Sequence, residues 1–397
     1  MYVRDDATLR ALVESMRGAD VIAIDTEFMR EKTYFARLCL IQIATDDIVA
    51  AIDPFAVKDL SPLFELMRDD RTMKVFHAGS QDLEIFYRLM GEVPAPVFDT
   101  QVAATLTGLP TQVGYQQLIR SLVGVELEKA HSFTDWARRP LSDDQIDYAL
   151  DDVRYLTKAY RTLAETLGKG GRLSWLAEDF ERMADPATYE VVPDEQFLRV
   201  KRASVLDRRS LAVLRELAAW RELEAQERDL PRRWLISDES LVEMARRAPA
   251  DRAALAAVRG VNEQVVRRSA EPLLDAVKRG LALPDEQLPK IPKRKRVHGE
   301  VDELSDLMSA LVRLRAKEHD VAPTLLAARD DLERLAGGER DGNPLTSGWR
   351  HSIVGAELEA LLAGEIALTV AHGRVAVSGV ARAHGASGLE VEVEGRE

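Results

Sequence analysis

Cysteine is almost missing: Cys39 is the single one in 397 residues. That excludes an intrachain disulfide framework and a multi-cysteine zinc site. Its setting, Leu38-Cys39-Leu40-Ile41, reads as a small buried hydrophobe, not a reactive thiol. Long apolar runs are missing too. No stretch reaches the roughly 18 uncharged apolar residues that span a bilayer. The opening residues, Met1 to Asp6, lack the apolar core of a signal peptide. A soluble, cytoplasmic chain with no membrane partner is expected. Positive charge is in deficit, with 54 Lys+Arg against 67 Asp+Glu, a net of −13. Taken whole, that balance argues against a nucleic-acid partner, because phosphate contacts need Lys and Arg. What is present is ordinary for a folded chain, 46% hydrophobic and 30% charged. Its length points to roughly two to four domains.

The average conceals a pattern. Residues 1–190 carry 21 basic and 32 acidic side chains, a net of −11. Residues 191–298 carry 23 and 17, a net of +6. Residues 299–397 carry 10 and 18, a net of −8. A basic middle third between acidic neighbours is a reason to look for an anion there.

The first part alternates strands and helices. Residues 20–25 read as a buried strand ending in Asp25. Residues 37–44 and 47–52 read as a hairpin around Thr45-Asp46-Asp47. A helix is expected over 57–68, a strand over 73–76, and a helix from Ser80 to Met90 ended by Gly91. A short strand follows at Val97-Phe98. From Ser142 one helix is expected to about Leu167. This is an α/β pattern with a mixed sheet. Residues 195–283 and 302–368 read as helical, separated by a Pro-rich basic linker that contains Lys293-Arg-Lys-Arg296. At a constant offset of 91, Ala225, Glu227, Asp229 and Leu241 match Ala316, Glu318, Asp320 and Leu332. That points to a diverged repeat. The end, from about Gly373, is expected to be poorly ordered.

Several carboxylates stand out by context. Asp25 and Glu27 are two apart on a strand, so they share a face. Asp82 falls in the first turn of a helix after His77-Ala-Gly-Ser80. Tyr148 and Asp152 are four apart on a helix, so they are neighbours. Singly, each has a structural explanation, as a strand end, a helix N-terminus or a solvated face. Together they form the hard oxygen set that Mg²⁺ or Mn²⁺ requires. Two such ions about 4 Å apart can activate water against a phosphodiester.

These residues resemble the three motifs of the DEDD 3′→5′ exonucleases: Asp25-Thr26-Glu27-Phe28, His77-Ala-Gly-Ser-Gln-Asp82-Leu83, and Tyr148-Ala-Leu-Asp-Asp152-Val. The Tyr-x-x-x-Asp spacing marks the tyrosine subgroup. Further similarity at Arg30 to Gln42 and Phe98-Asp99-Thr100-Gln101, with a tail like HRDC modules, is to the ribonuclease D family. The resemblance implies an α/β RNase H-like exonuclease domain with a mixed sheet, followed by two all-α HRDC-like modules. The expected divisions are 1–192, a basic first module at 193–283, a linker at 284–299, a second module at 300–372 and a tail at 373–397. It implies two divalent cations, Mg²⁺ or Mn²⁺, held by Asp25, Glu27, Asp82 and Asp152. Tyr148 would position the attacking water, with the metal doing most of the deprotonation. Thr26, Phe28 and Met29 would lie at the substrate, Phe28 stacking near the terminal base. Asp99 and His77 read as structural, and the spacing from Tyr148 selects Asp152 over Asp151.

The activity implied is 3′→5′ trimming of RNA, tRNA precursors and other structured RNA, by a monomer with no obligate protein partner. Basic pairs in the first module, Arg232-Arg233 beside Trp234 and Arg246-Arg247, are candidates for gripping RNA. The second, acidic module is expected to bind RNA weakly or to pack on the exonuclease domain. The motifs alone leave open a DNA exonuclease, since they address metal and phosphate more than the 2′-hydroxyl. A non-catalytic nucleic-acid binder is the alternative of another class.

Overall fold

A computed structural model describes residues 1–127, 134–291 and 299–380. The basic run at 293–296 and the chain after Val380 lie outside the described residues. Strand β1 (Tyr2–Val3) leads into helix α1 (Asp6–Met16). The Asp5 carboxylate accepts from Thr8 N at 2.9 Å to start α1. Leu9, Leu12, Val13 and Met16 bury its inner stripe. Neither element was expected from the sequence, although the cap and the spacing were there to read.

Strand β2 (Val21–Met29) runs four residues past Asp25. Strands β3 (Arg37–Ala44) and β4 (Val49–Ile52) form the expected hairpin. Thr45 Oγ1 accepts from Ile48 N at 3.1 Å within its turn. Helix α2 (Ser61–Arg68), strand β5 (Met73–Phe76), helix α3 (Ser80–Met90), strand β6 (Val97–Asp99) and helix α4 (Thr100–Ala104) follow. Gly91 closes α3 at φ +76°. The sheet order is β1-β4-β3-β2-β5-β6. β2 pairs antiparallel with β3 and parallel with β5, so the sheet is mixed and β2 lies inside it. Its core includes Ile22, Ile24, Ile41, Ile43, Phe76 and Phe86.

Helix α5 (Tyr115–Val123) was not expected. The helix expected from Ser142 is two, α6 (Asp143–Arg154) and α7 (Leu156–Lys169), divided at Tyr155. A capping box starts α6: Ser142 Oγ accepts from Gln145 N at 3.2 Å, and Gln145 Oε1 accepts from Ser142 N at 2.8 Å. Arg139 fixes the approach to α6. It chelates the buried Asp53 at 2.7 and 2.8 Å and also donates to the Cys39 and Trp136 carbonyls.

After α8 (Ala177–Ala184) the chain is helical: α9 (Arg208–Glu227), α10 (Arg232–Leu235), α11 (Asp238–Arg247), α12 (Arg252–Ala256) and α13 (Glu263–Ala282). Leu214, Leu217, Leu241 and Leu273 are fully buried in their shared core. Helices α14 (Gly299–Glu318), α15 (Pro323–Leu326) and α16 (Arg329–Ala336) start 91 residues after α9, α10 and α11. Asp229 and Asp320, also 91 apart, both have positive φ, +48° and +53°. The repeat is therefore in the backbone as well as in the letters.

Strands β7 (Ile366–Ala371) and β8 (Arg374–Gly379) pair antiparallel. This corrects the expected disorder at the start of the 373–397 tail. His372 and Gly373, both at positive φ, supply the two-residue turn that alternating apolar flanks need.

Two compact units emerge. One comprises Met1–Gln101, Gly114–Glu165 and Leu176–Lys293, and so holds both the sheet and the first helical module. Within it, Tyr34, Glu222 and Arg232 hydrogen-bond to one another, and Asp229 accepts from Phe35 N at 2.9 Å. The other comprises Val102–Val113, Thr166–Trp175 and Arg294–Glu397. Within it, Trp175 and Trp349 stack at 4.9 Å with planes 3° apart. A Cβ on Gly108 would come within 2.6 Å of Asp320 Oδ1.

One glycine controls the entry to α3. A Cβ on Gly79 would lie 2.4 Å from Phe76 Cβ, and Phe76 is fully buried. Gly79→Ala should therefore cost about 1–3 kcal/mol, the usual range for overpacking. Urea denaturation measures it, and a midpoint equal to the parent's would contradict the close approach.

Candidate active site

The site is built where β2, α3 and α6 meet. Strand alternation puts Asp25 and Glu27 on one face of β2, and α6 carries Tyr148 and Asp152 one turn apart. Carboxylate oxygens of Asp25, Glu27 and Asp152 all lie within 4.8 Å of one another. Asp82, on α3, is 6% exposed, and its carboxylate accepts the hydroxyl of Thr26. It is thus beside the group of three but outside it. The turn before α3 is held by Asp99, which accepts from Gly79 N and Gln101 N at 2.8 Å and from Ala78 N at 3.2 Å. Asp99 therefore fixes two successive turns, more than the single cap expected of it. His77 Nδ1 is 3.0 Å from Thr100 Oγ1.

Electrostatics follow from the crowding. Burial first, then Asp82, Asp152 and Glu27, holds Asp25 well above the usual carboxylate range. Burial, then Asp152 and Asp82, pushes Glu27 up to about 8. Burial and Asp151 push Asp152 up to about 7. Burial raises Asp82 to about 6 against the pull of the Thr26 hydroxyl. Tyr148 is raised to about 12 by burial and then by Asp152, Glu27 and Asp25. Its ring lies over Trp136 at 6.4 Å. Asp151 pairs with Arg154 at 2.5 Å instead of joining the cluster.

Three hard oxygen donors whose proton affinity is raised by burial and by neighbouring carboxylates, with no ion pair to a basic side chain among the described residues, fit a hard divalent cation. A further sign is Gln42. It is the cross-strand partner of Asp25, it is fully buried, and neither carboxamide atom has a hydrogen-bond partner among the described residues. Sequence reasoning named Gln42 only as the end of the Arg30 to Gln42 similarity and gave it no role of its own, although it is a polar residue inside the apolar run of β3.

Two expectations need correction. Thr26 points away from Asp25 and Glu27, is buried, and gives its hydroxyl to Asp82, so its side chain does not face a substrate. Arg232, expected to grip RNA, chelates the buried Glu222 instead. Met29, like Phe28, is half-buried, and like Tyr148 it packs against a small core that includes Trp136 and Leu150. Phe28 remains half-buried, beside a β-bulge after Glu27. Arg246 and Arg247 are exposed but both pair with Glu243, at 3.0 and 2.6 Å. Arg233 is exposed, as is Trp234 at 53%.

Known proteins resemble the chain over most of its length. The 3'-5' exonuclease family profile matches residues 1–168, and the HRDC domain profile matches residues 210–277. Ribonuclease D from Granulibacter bethesdensis is 45% identical over 365 residues, which cover 91% of this chain and 92% of that one. The chain belongs to the ribonuclease D family. A second ribonuclease D, from Zymomonas mobilis, is 41% identical and covers 95% of this chain and 97% of its own. The crystal structure of Escherichia coli RNase D, an exoribonuclease involved in structured RNA processing, superposes with a TM-score of 0.80. It is 32% identical and covers 91% of this chain and 98% of that one. The ribonuclease D relationship thus spans the sheet and the helical modules together.

The raised carboxyls give a testable sign. A carboxyl whose folded pKa exceeds its unfolded value, about 4, makes the fold less stable as pH rises through that interval. With Asp82, Asp152 and Glu27 reaching about 6, 7 and 8, the metal-free chain should lose stability steadily up to pH near 8. Added Mg²⁺ or Mn²⁺ should raise the melting temperature more at about pH 8 than at about pH 5, because binding displaces those protons. Thermal melts in both buffers decide it. An equal shift at the two pH values would contradict the assignment.

Proposed function

We propose that the chain is a metal-dependent 3′→5′ exoribonuclease that trims structured RNA, tRNA precursor 3′ ends above all. The observation that carries this is the convergence of Asp25, Glu27 and Asp152 beside Tyr148. Asp25, Glu27, Asp82 and Asp152 would hold two divalent cations, Mg²⁺ or Mn²⁺. Bound there, the ions supply the charge that activates a water and stabilises a departing 3′-oxygen. Water attacks the terminal phosphodiester in line, the bond to the 3′-oxygen breaks, and a nucleoside 5′-monophosphate leaves.

Tyr148 keeps its proton at neutral pH, since its phenol lies near 12. It is therefore a positioner of water through its hydroxyl, and a poor base. Phe28, half-buried at the end of the acidic strand face, is the remaining candidate to stack on the terminal base. The backbone repeat at an offset of 91 supports reading 300–372 as a second HRDC-like module. The Trp175–Trp349 stack supports its role as a packing partner of the chain around Thr166–Trp175. The involvement of the Escherichia coli relative in structured RNA processing supports structured RNA as the substrate class. No helix among the described residues is long and apolar enough to cross a membrane, and we assign the chain to the cytoplasm as a monomer.

Incubating 3′-extended RNA with Mg²⁺ or Mn²⁺ should release 5′-monophosphates. Asp25→Ala should reduce the rate by more than about a hundredfold. Undiminished release by Asp25→Ala would overturn the assignment, and faster loss of a matched DNA strand would reassign the substrate. Tyr148→Phe should slow cleavage by up to about a hundredfold through misplaced water. Its metal affinity, read by calorimetric titration, should stay near the parent's. An affinity loss as large as that of Asp152→Ala would show Tyr148 to be a ligand instead.

A further inference from the structure

One polar side chain interrupts the apolar face of the sheet beneath α6. Gln42 lies on β3, where Leu40 and Ala44 share its face. Its cross-strand neighbour on β4 is Ala51. Ala149 and Leu150 of α6 pack in the same core as Leu40 and Ala51. Toward β4 and α6, then, the surroundings of Gln42 are small or aliphatic, and the side chain is fully buried. A methionine or leucine would fill the place without the cost of taking a carboxamide out of water.

Other polar side chains buried as deeply have partners. Lys74 Nζ donates to the Asp69 and Thr72 carbonyls at 2.7 and 2.8 Å. Thr100 Oγ1 donates to the Phe76 carbonyl at 3.0 Å, and Ser305 Oγ to that of Val301 at 2.7 Å. Gln42 differs, because neither its Nε2 nor its Oε1 has a hydrogen-bond partner among the described residues. Proteins seldom bury a carboxamide in that condition without a use for it.

The strand register points to that use. Asp25 stands directly across from Gln42 on β2. Opposite residues of an antiparallel pair share a face, with Cβ atoms about 4.5–5.5 Å apart. Glu27 pairs with Leu40, so it is a diagonal and more distant neighbour. Asp53, just beyond β4, is already taken: it accepts from Arg139 at 2.7 and 2.8 Å and from Tyr2 at 2.8 Å. Asp25 is thus the nearest carboxylate that no basic side chain holds.

We propose that Gln42 is a positioning residue for Asp25: its side-chain amide donates to the Asp25 carboxylate and fixes the direction in which that carboxylate meets a divalent cation. This rests on the reading of Asp25 as an ion ligand. A carboxylate has about four lone-pair sites, so one hydrogen bond and one ion are served together. Outer partners that hold a ligating group in this way set metal affinity. Buried beneath α6, Gln42 touches no substrate, and its effect passes through Asp25.

The test uses the full chain. Gln42→Met is close to the parent in shape and removes both the donor and the acceptor. Calorimetric titration with Mn²⁺ should give an affinity about 10–100-fold below the parent's. The urea midpoint of the metal-free variant should equal or exceed the parent's, because a buried carboxamide without partners has been replaced by an apolar group. A purely structural Gln42 would do the reverse, lowering the midpoint and leaving the affinity alone. A spectroscopic reading is independent of both. In the chain labelled with ¹⁵N-glutamine, the Gln42 amide resonances are those missing from Gln42→Met. Mg²⁺ should shift them downfield and slow their exchange with solvent. An affinity equal to the parent's, or resonances that Mg²⁺ leaves in place, overturns the proposal. A parent chain that binds neither ion would overturn the reading of Asp25 itself, and the proposal with it, whereas a parent that binds and a variant that binds equally would sink the proposal alone.

Discussion

Mutual repulsion among carboxylates is the constraint around which the first unit is arranged. Asp25, Glu27 and Asp152 bring oxygens within 4.8 Å of one another, and Asp82 adds its charge from α3. No sequence gathers such a set for stability, because each group resists ionising next to the others. The cluster persists because the elements that carry it are anchored elsewhere. β2 is hydrogen-bonded on both sides, to β3 and β5. α3 is held at its start by Asp99 and by the close fit of Gly79 on Phe76. α6 is held at its approach by Arg139 on the buried Asp53. Breaking a buried pair of that kind typically costs about 3–5 kcal/mol, which shows how firmly α6 can be pinned against its neighbours' charge. The strain of the site is thus borne by contacts that never meet a substrate.

The same arrangement separates two jobs. The acidic face offers the hard oxygen set that a divalent cation fits. The first helical module, which shares a compact unit with the sheet, carries the basic surface. Tyr34, Glu222 and Arg232 tie the two together through a buried polar network, in which every member has a partner. One arginine of a conspicuous basic pair is thereby a structural strut, and its neighbour Arg233 is left for solvent and ligands.

What was legible in the sequence was whatever rests on local spacing. Asp25 and Glu27 at period two, and Tyr148 and Asp152 at period four, place their side chains without any knowledge of the fold. β3, β5 and α3 could be bounded because apolar runs and a closing glycine mark their ends. What was not legible depends on partners far away in the chain. Arg232 looks like any exposed arginine until Glu222 and Tyr34 are seen beside it. Thr26 was misjudged for a simpler reason. Being between two site residues in sequence puts it on the opposite face of the strand. The net charge of −13 misled in the same way, since it averages acidic outer parts with a basic middle one.

The paired aspartates of the helical repeat carry a consequence for the residues beside them. Asp229 and Asp320 occupy the same turn, in the same left-handed conformation, 91 residues apart. In one copy the carboxylate takes a backbone N–H of Phe35, and in the other it lies against Gly108. The two turns thus meet different stretches of the chain, Phe35 in one case and Gly108 in the other. Gly108 is thereby a position with no room for a side chain, since even a Cβ there would come within 2.6 Å of the Asp320 carboxylate.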